Sequence, residues 1–476
     1  MTKIQTIDSA ARRRYRWLSV ALGAVLLPIS ACNLDETLRV EDPAVATPES
    51  LENPNALPTL VAGAIGDFQV AYSGNGLADA FLPATALFSD EFRSSDTFTT
   101  RNDLDRREQT SPANGNLGDI SYVALHRARR SLQAAARAAG TIALPGDARQ
   151  GELLGLAGYT YVSFGEGFCS NVPFSEVVDG QFIPGPSLTT TQMFDTAIVR
   201  FATARTALTG TDAASVSRLN LARVGNARAL LNKGSFAEAA AAVSGVPTSF
   251  IYFIEHSANT PRQENSLWNL NGSNRRYTVS DREGINGLPF RSANDPRIPF
   301  RDRAANGFDA ATRLFEQFRY ENRDADVPLA DGIEARLIEA EAALRAGNTA
   351  TWLTLLNALR ADVRALMVAR YQNYALYVPN ASVTNTTLAP LTDPGSATAR
   401  VDLMFSERAF WLYSTGHRLG DLRRLIKQYG RAANTVFPTG AWHKGGNYGP
   451  DVAMLVPFTE VNNPNFDPGT CSATTP

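Results

Sequence analysis

A pair of helices joined by a glycine turn is the feature that most constrains the fold of this 476-residue chain. In the stretch 227–243, apolar residues at helical spacing precede Gly234, which can end the first helix. Ser235 follows as a candidate cap, and a second apolar face begins at Phe236. Large side chains on one helix would face small ones on the other, so the two antiparallel helices can approach closely.

A similar unit recurs around Gly347, with Leu337 and Leu344 before the turn and Trp352 and Leu356 after it. Such a pair can bury its apolar face only against a neighbouring pair. The sequence therefore predicts an all-α fold of degenerate, stacked tetratricopeptide-like helix pairs with long loop-rich insertions. A helical bundle without repeat geometry is the alternative interpretation.

Other helices are predicted from apolar faces between Gly and Pro breaks. These helices are predicted along the apolar face from Leu57 to Tyr72 and over the stretches 122–139, 152–164, 193–208 and 216–233. Three segments interrupt the helical rhythm, namely 245–331, 377–398 and 429–476. Long segments of this kind inside a compact protein usually carry function.

The N-terminus has the pattern of a bacterial lipoprotein signal. Basic residues precede the apolar stretch 17–29, which is too short to span a bilayer as a helix. Ser30 and Ala31 are small enough to allow cleavage, which would leave Cys32 as an N-terminal residue open to acylation. An ordinary secretory signal followed by a coincidental cysteine is the alternative.

These features predict a signal peptide over residues 1–31, a tether over 32–58 and a single helical-repeat domain over 59–476. The tether is acidic and contains four prolines. The whole chain has 45 basic residues (Lys and Arg) and 47 acidic residues (Asp and Glu). Residues 1–31 contain five of the basic residues and one of the acidic residues. The remaining chain therefore has 40 basic and 46 acidic residues, a net charge of about −6. An acidic balance of this kind argues against nucleic-acid binding.

Only Cys169 and Cys471 remain beyond Cys32. An even number of cysteines in an exported chain favours pairing, so we predict a disulfide that ties the C-terminal tail to the body. A buried free thiol with a second thiol in a frayed tail is the alternative.

Several segments of the C-terminal half carry a family resemblance. The stretches 336–342 and 406–412, the Gly416-x-Arg418 and Asp421-Leu-x-Arg424 elements, and the closing 456–465 together resemble the SusD/RagB family of outer-membrane nutrient-binding lipoproteins. With the lipoprotein signal, the resemblance covers residues 32–465. The chain departs from the family pattern at Thr415, where the family usually has an acidic residue.

Four charged residues of these segments are predicted to be structural. Glu407 and Arg408 with Arg418 and Asp421 can form a network that clamps the last helix to its neighbours, because bidentate arginine pairs hold a junction in register. A role in ligand binding is the alternative.

The resemblance also implies a partner and a location. SusD-like proteins cover a TonB-dependent (SusC-like) outer-membrane barrel on the cell surface, capture an oligomeric nutrient and deliver it as the lid closes. It therefore implies a lipid-anchored outer-membrane protein without catalytic residues. Asp35 and Glu36, just after Cys32, fit an acidic signal for surface exposure, although ordinary tether acidity explains them equally well.

Sugars present apolar faces and hydroxyl rims, so a glycan receptor needs aromatic platforms beside planar polar side chains. Three loops offer this mixture, and core packing is the alternative for each aromatic residue. The candidate ligand-binding residues are Phe98, Arg101 and Asn102 in the first loop, Trp268, Asn271, Arg276 and Tyr277 in the second, and Trp442 and Tyr448 in the third.

An enzymatic function finds little support. The four histidines lack metal-ligand spacing, and no nucleophile elbow or phosphate loop is present, so we expect no metal, no cofactor and no catalysis. The acid pairs Asp90–Glu91 and Glu339–Glu341 could be proposed for glycoside hydrolysis, but neighbouring acids are more often solvated. A peptide ligand and an envelope-assembly scaffold remain the alternatives to glycan capture.

Overall fold

The computed structural model describes residues 54–109, 117–143, 147–178, 181–371, 374 and 381–476. The predicted signal peptide, Cys32 and most of the tether lie outside these residues. The helices of the described ranges, in chain order, are α1 (Leu57–Tyr72), α2 (Phe81–Phe88), α3 (Thr99–Arg106), α4 (Leu117–Ile142), α5 (Arg149–Gly167), α6 (Thr190–Ala207), α7 (Ala213–Lys233), α8 (Phe236–Val243), α9 (Gly332–Arg345), α10 (Thr349–Ala361), α11 (Val363–Arg370), α12 (Ala397–Trp411), α13 (Arg418–Tyr429) and α14 (Ala433–Val436). The predicted helical fold class is confirmed.

Short strands occupy the connections between the helices. They are β1 (Phe92–Ser94), β2 (Val172–Pro173), β3 (Glu176–Val178), β4 (Gln181–Ile183), β5 (Ser187–Leu188), β6 (Ile251–Ile254), β7 (Tyr277–Val279), β8 (Phe300–Asn306), β9 (Arg313–Gln317) and β10 (Val327–Asp331). They form antiparallel two-stranded pairs, β1 with β7, β2 with β5, β3 with β4, β6 with β10 and β8 with β9. Half of these strands lie in the segment 245–331, where the sequence predicts a break in the helical rhythm.

Polar side chains fix where several helices begin. Thr189 and Gln192 form a reciprocal capping box at the start of α6. Asp212 accepts two backbone N–H bonds at the start of α7, and Asp331 accepts one from Glu334 at the start of α9. Each cap satisfies N–H groups that have no partner inside the helix, so the short polar residues of the sequence determine these boundaries.

The predicted glycine turns are present in both helix pairs. Gly234 follows α7 with a φ of 82°, and Gly347 follows α9 with a φ of 76°, a left-handed conformation that glycine adopts without strain. Asn348 caps α10 through its side chain. Ser235 occupies the cap position of α8 but makes no side-chain capping bond, so that detail of the prediction is wrong.

Helix α5 lies at the centre of the repeat and packs against α4, α6 and α7. Small residues allow this close approach. A Cβ atom on Gly158 would lie 2.8 Å from the ring of Phe201, and one on Gly225 would lie 2.4 Å from it. Packing of large against small residues, which the sequence predicts for the pair around Gly234, is thus also present between α5, α6 and α7.

The C-terminal tail is attached to the body by covalent and hydrogen bonds. Cys169 and Cys471 form the predicted disulfide, with a Cα–Cα distance of 5.2 Å. The backbone N–H of Cys169 donates to Met454 (2.9 Å), and that of Val452 donates to Ala473 (2.7 Å).

No helix of the described ranges is long and apolar enough to cross a membrane.

Buried ion pairs join the last long helix to its surroundings. Arg408 of α12 donates to both carboxylate oxygens of Asp421 in α13, at 2.8 and 2.9 Å. Arg424 donates to Asp421 and makes a bidentate pair with Glu341 of α9. Two guanidinium groups thus hold α9 in register with the consecutive helices α12 and α13.

The other two predicted members of this network have different partners. Glu407 accepts from Arg297 (2.8 Å) and Arg360 (2.6 Å), and Arg418 makes a bidentate pair with Asp90 at 2.6 and 2.9 Å. The prediction of a single local clamp is therefore corrected: the four residues lie in three separate buried clusters. The partners come from loops and helices that sequence spacing does not bring together.

Candidate functional site

Strand pairing brings two predicted ligand loops together. Ser94 of β1 lies opposite Tyr277 of β7, which places the loop after β1 beside residues 274–276. The backbone N–H of Ser95 donates to Arg276 (2.8 Å), and its hydroxyl donates to Arg275 (2.8 Å). The loop that contains Phe98 therefore has a fixed position relative to Arg276.

The turn between β8 and β9 packs onto the same place. The backbone N–H of Phe308 donates to Arg275 (2.8 Å) and that of Asp309 donates to Ser95 (2.9 Å). Gly307 permits this approach, because a Cβ atom there would lie 2.3 Å from the Cβ of Ser95. Three segments that are far apart in sequence thus meet at one surface.

An arginine lies between two exposed aromatic rings at this surface. The guanidinium carbon of Arg276 is 4.6 Å from the ring centre of Phe98 and 3.9 Å from that of Phe308. Phe98 and Phe308 are 52% and 47% exposed. Large aromatic residues are normally buried, so two half-exposed rings held by an arginine form an ordered apolar platform.

A buried carboxylate fixes the arginine of this platform. Asp96, which is 1% exposed, accepts from Nη1 of Arg276 at 2.8 Å and from Nη1 of Arg101 at 2.6 Å. Arg101 also pairs with Asp79. Burial opposes the charge of Asp96, but the hydrogen bonds from both arginines outweigh it and lower the pKa of that carboxyl group.

Lys444 joins the cluster through an ion pair and a hydrogen bond. Nζ of Lys444 pairs with Asp309 (2.8 Å) and donates to Oδ1 of Asn102 (3.1 Å), which also accepts from Ser94 (2.7 Å). The hydrogen bonds from Lys444 and Thr312 lower the pKa of Asp309 despite its partial burial. We call the group Phe98, Arg101, Asn102, Arg276, Phe308, Asp309 and Lys444 the Arg276 surface.

This surface keeps hydrogen-bond donors that no protein group uses. Within the described residues, no acceptor contacts Nε or Nη2 of Arg276, or Nδ2 of Asn102. Both side chains are partly exposed. The surface therefore offers apolar faces and planar donors side by side.

Trp268 lies outside this cluster. It begins a π-helix over Trp268–Ser273, is partly buried, and contacts the guanidinium of Arg323 at 5.3 Å from its ring centre. The structure shows no contact between Trp268 and Phe98 or Phe308. Of the residues predicted in the first two loops, the structure brings together Phe98, Arg101, Asn102 and Arg276.

Two other predicted ligand residues have structural positions. Asn271 is fully buried, donates to the backbone of Tyr277 (2.8 Å) and Phe315 (3.1 Å), and accepts from the N–H of Gln317 (2.7 Å). Tyr277 is also fully buried, and its hydroxyl donates to Asp79 (2.9 Å). Neither side chain faces solvent, so their assignment to ligand contact is corrected to core support.

The third predicted loop supports the surface from beneath. Trp442 and Tyr448 are 8% and 9% exposed. Nε1 of Trp442 donates to Asp105 (2.9 Å), and the hydroxyl of Tyr448 donates to Glu283 (2.9 Å). These aromatic residues follow the core-packing alternative, because their polar atoms already have buried partners.

Sequence reasoning missed three residues of the site, Phe308, Asp309 and Lys444. Phe308 is one of many aromatic residues in the segment 245–331, and nothing in its neighbours distinguishes it. Lys444 lies in the third predicted loop, between Trp442 and Tyr448, and this position was the available signal. Their roles depend on contacts between distant loops.

The acid pairs considered for catalysis are not placed for it. Asp90 and Glu91 are each 1% exposed, and Asp90 is held by Arg418. Glu341 is fully buried and paired with Arg424. Among the described residues there is also no group of three or more His, Cys, Asp or Glu side chains arranged to hold a metal ion.

Comparison with known proteins identifies the architecture. No family model and no curated protein sequence matches the chain. Among solved structures, a SusD superfamily protein from Bacteroides fragilis has a TM-score of 0.58 at 14% identity and covers 87% of this chain and 99% of its own. A SusD/RagB family protein from Bacteroides thetaiotaomicron has a TM-score of 0.55 at 14% identity, with 79% and 88% covered.

A SusD-like carbohydrate-binding protein from Bacteroides vulgatus is also similar, with a TM-score of 0.52 at 15% identity over 78% of this chain and 83% of that protein. These similarities agree with the resemblance in the C-terminal half of the sequence. The chain therefore has the fold of the SusD/RagB proteins.

Proposed function

We propose that this chain is a SusD-like receptor that captures an oligomeric glycan and delivers it to a TonB-dependent outer-membrane barrel. The observation that carries the proposal is the Arg276 surface, where Phe98 and Phe308 expose about half of their side chains around a fixed guanidinium. Similar solved structures include one described as a carbohydrate-binding protein, which supports the same ligand class.

The chemistry of the surface suits a sugar ring. The C–H face of a pyranose can pack on Phe98 or Phe308, while its hydroxyl groups accept from Arg276 and Asn102. The donors are preorganised, since Asp96 and Lys444 hold these two side chains in place. A ligand therefore binds without first ordering the receptor side chains.

The charge of the surface favours a neutral ligand. The cations Arg101, Arg276 and Lys444 are matched by the carboxylates Asp79, Asp96 and Asp309 in direct ion pairs. An acidic glycan or peptide would have to compete with these carboxylates for the same cations. We accordingly place neutral glycans ahead of acidic ligands.

Binding can be tested with variants of the two rings. Phe98→Ala and Phe308→Ala should each weaken binding of a glycan array hit by about tenfold or more, because each removes one face of the platform. Phe182→Ala is a matched control, since Phe182 is 59% exposed but lies in the β3–β4 hairpin, away from this surface. Equal affinity of all three variants and the unaltered protein would exclude the Arg276 surface as the binding site.

Lipid anchoring at Cys32 and barrel association belong to the same proposal and have separate tests. Cys32→Ala should release the protein from outer membranes, and continued membrane association would contradict the anchor. Purification of the tagged protein from its native membrane in mild detergent should recover a TonB-dependent barrel in a one-to-one ratio. Absence of a barrel would favour a free-standing binder or an assembly scaffold.

A peptide is the second candidate ligand. Arg276 and Asn102 could equally donate to peptide carbonyl groups, and Phe98 could pack against an apolar side chain. A library of neutral peptides screened beside the glycan array distinguishes the two. Binding of peptides alone, with the same dependence on Phe98 and Phe308, would retain the site and change the ligand class.

A further inference from the structure

A buried arginine on the last long helix has unused donors. Arg423 of α13 is 5% exposed, and its Nη1 donates to the backbone oxygen of Gly165 at 2.8 Å. No described protein group accepts from its Nε or Nη2. A buried guanidinium whose N–H groups lack acceptors carries a large desolvation cost.

A second cation lies beside it, one helical turn along. Lys427 forms no ion pair among the described residues, and burial together with the charge of Arg423 lowers its pKa. Burial also lowers the pKa of Arg423, to about 10. Two neighbouring cations without a carboxylate partner form a local excess of positive charge.

The nearest carboxylate is already in use. Glu166 accepts from Nε of Arg228 (2.8 Å) and from Nδ2 of Asn232 (2.7 Å), and its second oxygen pairs with Arg228. It raises the pKa of Arg423 through its charge but does not form an ion pair with it. Glu166 therefore neutralises Arg228, and the charges of Arg423 and Lys427 remain unmatched.

These cations line a small cavity together with Glu166, which is already paired with Arg228, and with Thr190, the first residue of α6. The Thr190 hydroxyl is buried and has no hydrogen-bond partner among the described residues. The cavity measures about 20 Å³, which is room for a single water-sized or halide-sized sphere. Pro476 also lines it, but no ion pair joins residue 476 to Arg423 or Lys427.

We propose that this cavity binds one chloride ion, held by N–H groups of Arg423, the ammonium of Lys427 and the hydroxyl of Thr190. The ion balances the charges of Arg423 and Lys427, which have no ion-pair partner among the described residues, and it accepts from their unused N–H groups. The site is separate from the Arg276 surface, so its occupancy and glycan binding can be tested independently.

The test uses the mature chain, with thermal unfolding measured in sodium chloride, bromide, sulfate and gluconate at constant ionic strength. Chloride and bromide should raise Tm saturably by about 3 °C over gluconate when present in large excess over Kd. Lys427→Met and Thr190→Val should reduce this response, while Arg364→Met, which changes an exposed cation of α11 that does not line the cavity, should retain it. Crystals grown in bromide should show an anomalous peak between Arg423, Lys427 and Thr190.

Equal Tm values in halide and gluconate would overturn the proposal. So would an undiminished response in both Lys427→Met and Thr190→Val, because the stabilisation would then come from another site. A crystal in which the carboxylate of residue 476 occupies the cavity would also overturn it. These variants are partly exposed or isosteric, which keeps the fold intact for the comparison.

Discussion

Glu91 gives the sharpest test of the buried polar core beneath the Arg276 surface. Its side chain is 1% exposed; Oε1 accepts from the N–H of Ser414 at 2.7 Å, and Oε2 has no partner. Burial, with a smaller contribution from the charge of Asp90, raises the pKa of Glu91 from 4.5 to about 8. The Ser414 bond and the charges of Arg418 and Arg319 oppose this shift.

The sign of the effect on stability follows from the two pKa values. Between pH 4.5 and about 8 the folded protein keeps the Glu91 proton whereas the unfolded chain has lost it. The unfolded state therefore binds fewer protons, and stability falls as the pH rises. Each pH unit in this range costs about 1.4 kcal/mol, so the free energy of unfolding should drop by about 2 kcal/mol from pH 6 to pH 8 because of Glu91.

Glu91→Gln removes the titrating group and keeps the acceptor for Ser414. The stability of Glu91→Gln relative to the unaltered chain should therefore rise by about 2 kcal/mol between pH 6 and pH 8. Urea unfolding at both pH values, followed by tryptophan fluorescence, measures this difference. Glu238→Gln is the control, because Glu238 is exposed and the substitution should give the same stability difference at both pH values.

A stability difference that does not change with pH would refute the reasoning, because it would mean that Glu91 is ionised at pH 6 in the folded state. A difference that changes in the opposite direction would mean that the Ser414 bond and the two arginines outweigh burial. Either result would also revise the view that this acid is a neutral core residue rather than a carboxylate available for chemistry.

Two further predictions concern stability. Replacing Cys169 and Cys471 by alanine should lower the free energy of unfolding by about 3–5 kcal/mol, since the bond closes a loop with a sequence separation of 302 residues; unchanged urea midpoints would contradict this. Arg418→Met should cost about 3–5 kcal/mol by leaving Asp90 buried without its partner, and adding Asp90→Asn should recover part of that loss. A double variant less stable than the sum of the two single effects would rule out this account of the pair.

Much of the helical framework could be predicted from local sequence. The face from Leu57 to Tyr72 forms α1 with these bounds, and Gly234 and Gly347 end their helices in the left-handed conformation. Both follow from interactions within a few residues, where spacing and backbone preference decide the outcome. The cysteine count likewise predicted a pairing that requires no knowledge of the path between the two residues.

The binding surface could be predicted only in part. Phe98, Arg101, Asn102 and Arg276 were recognised because aromatic and planar polar residues cluster in two loops. Phe308 was not, because its position depends on the β8–β9 turn packing against Ser95. Ser95 and Phe308 are 213 positions apart (308 minus 95), and sequence spacing carries no information about such contacts.

Exposure separates the correct predictions from the wrong ones. Trp442, Tyr448 and Tyr277 have the same side-chain chemistry as a sugar platform, but each lies in the core with its polar atom bonded to a buried acid. Phe98 and Phe308 remain about half exposed, and both contact the guanidinium of Arg276, which Asp96 holds in place. An aromatic residue can serve as a binding platform only if its side chain stays exposed, and this depends on where the fold places its polar partners. The sequence alone does not give those positions.

The sequence by itself determined the helix pairs, their turns and the disulfide, because each depends on neighbouring residues or on residue counts. Tertiary structure alone decided which charges pair and which remain unmatched. Arg424 pairs with Glu341 and Asp421, whereas Arg423, its neighbour in sequence, lines a cavity and has no ion-pair partner among the described residues. A helix turns by about 100° per residue, so adjacent side chains enter different surroundings, and only the packed fold sets what each one meets.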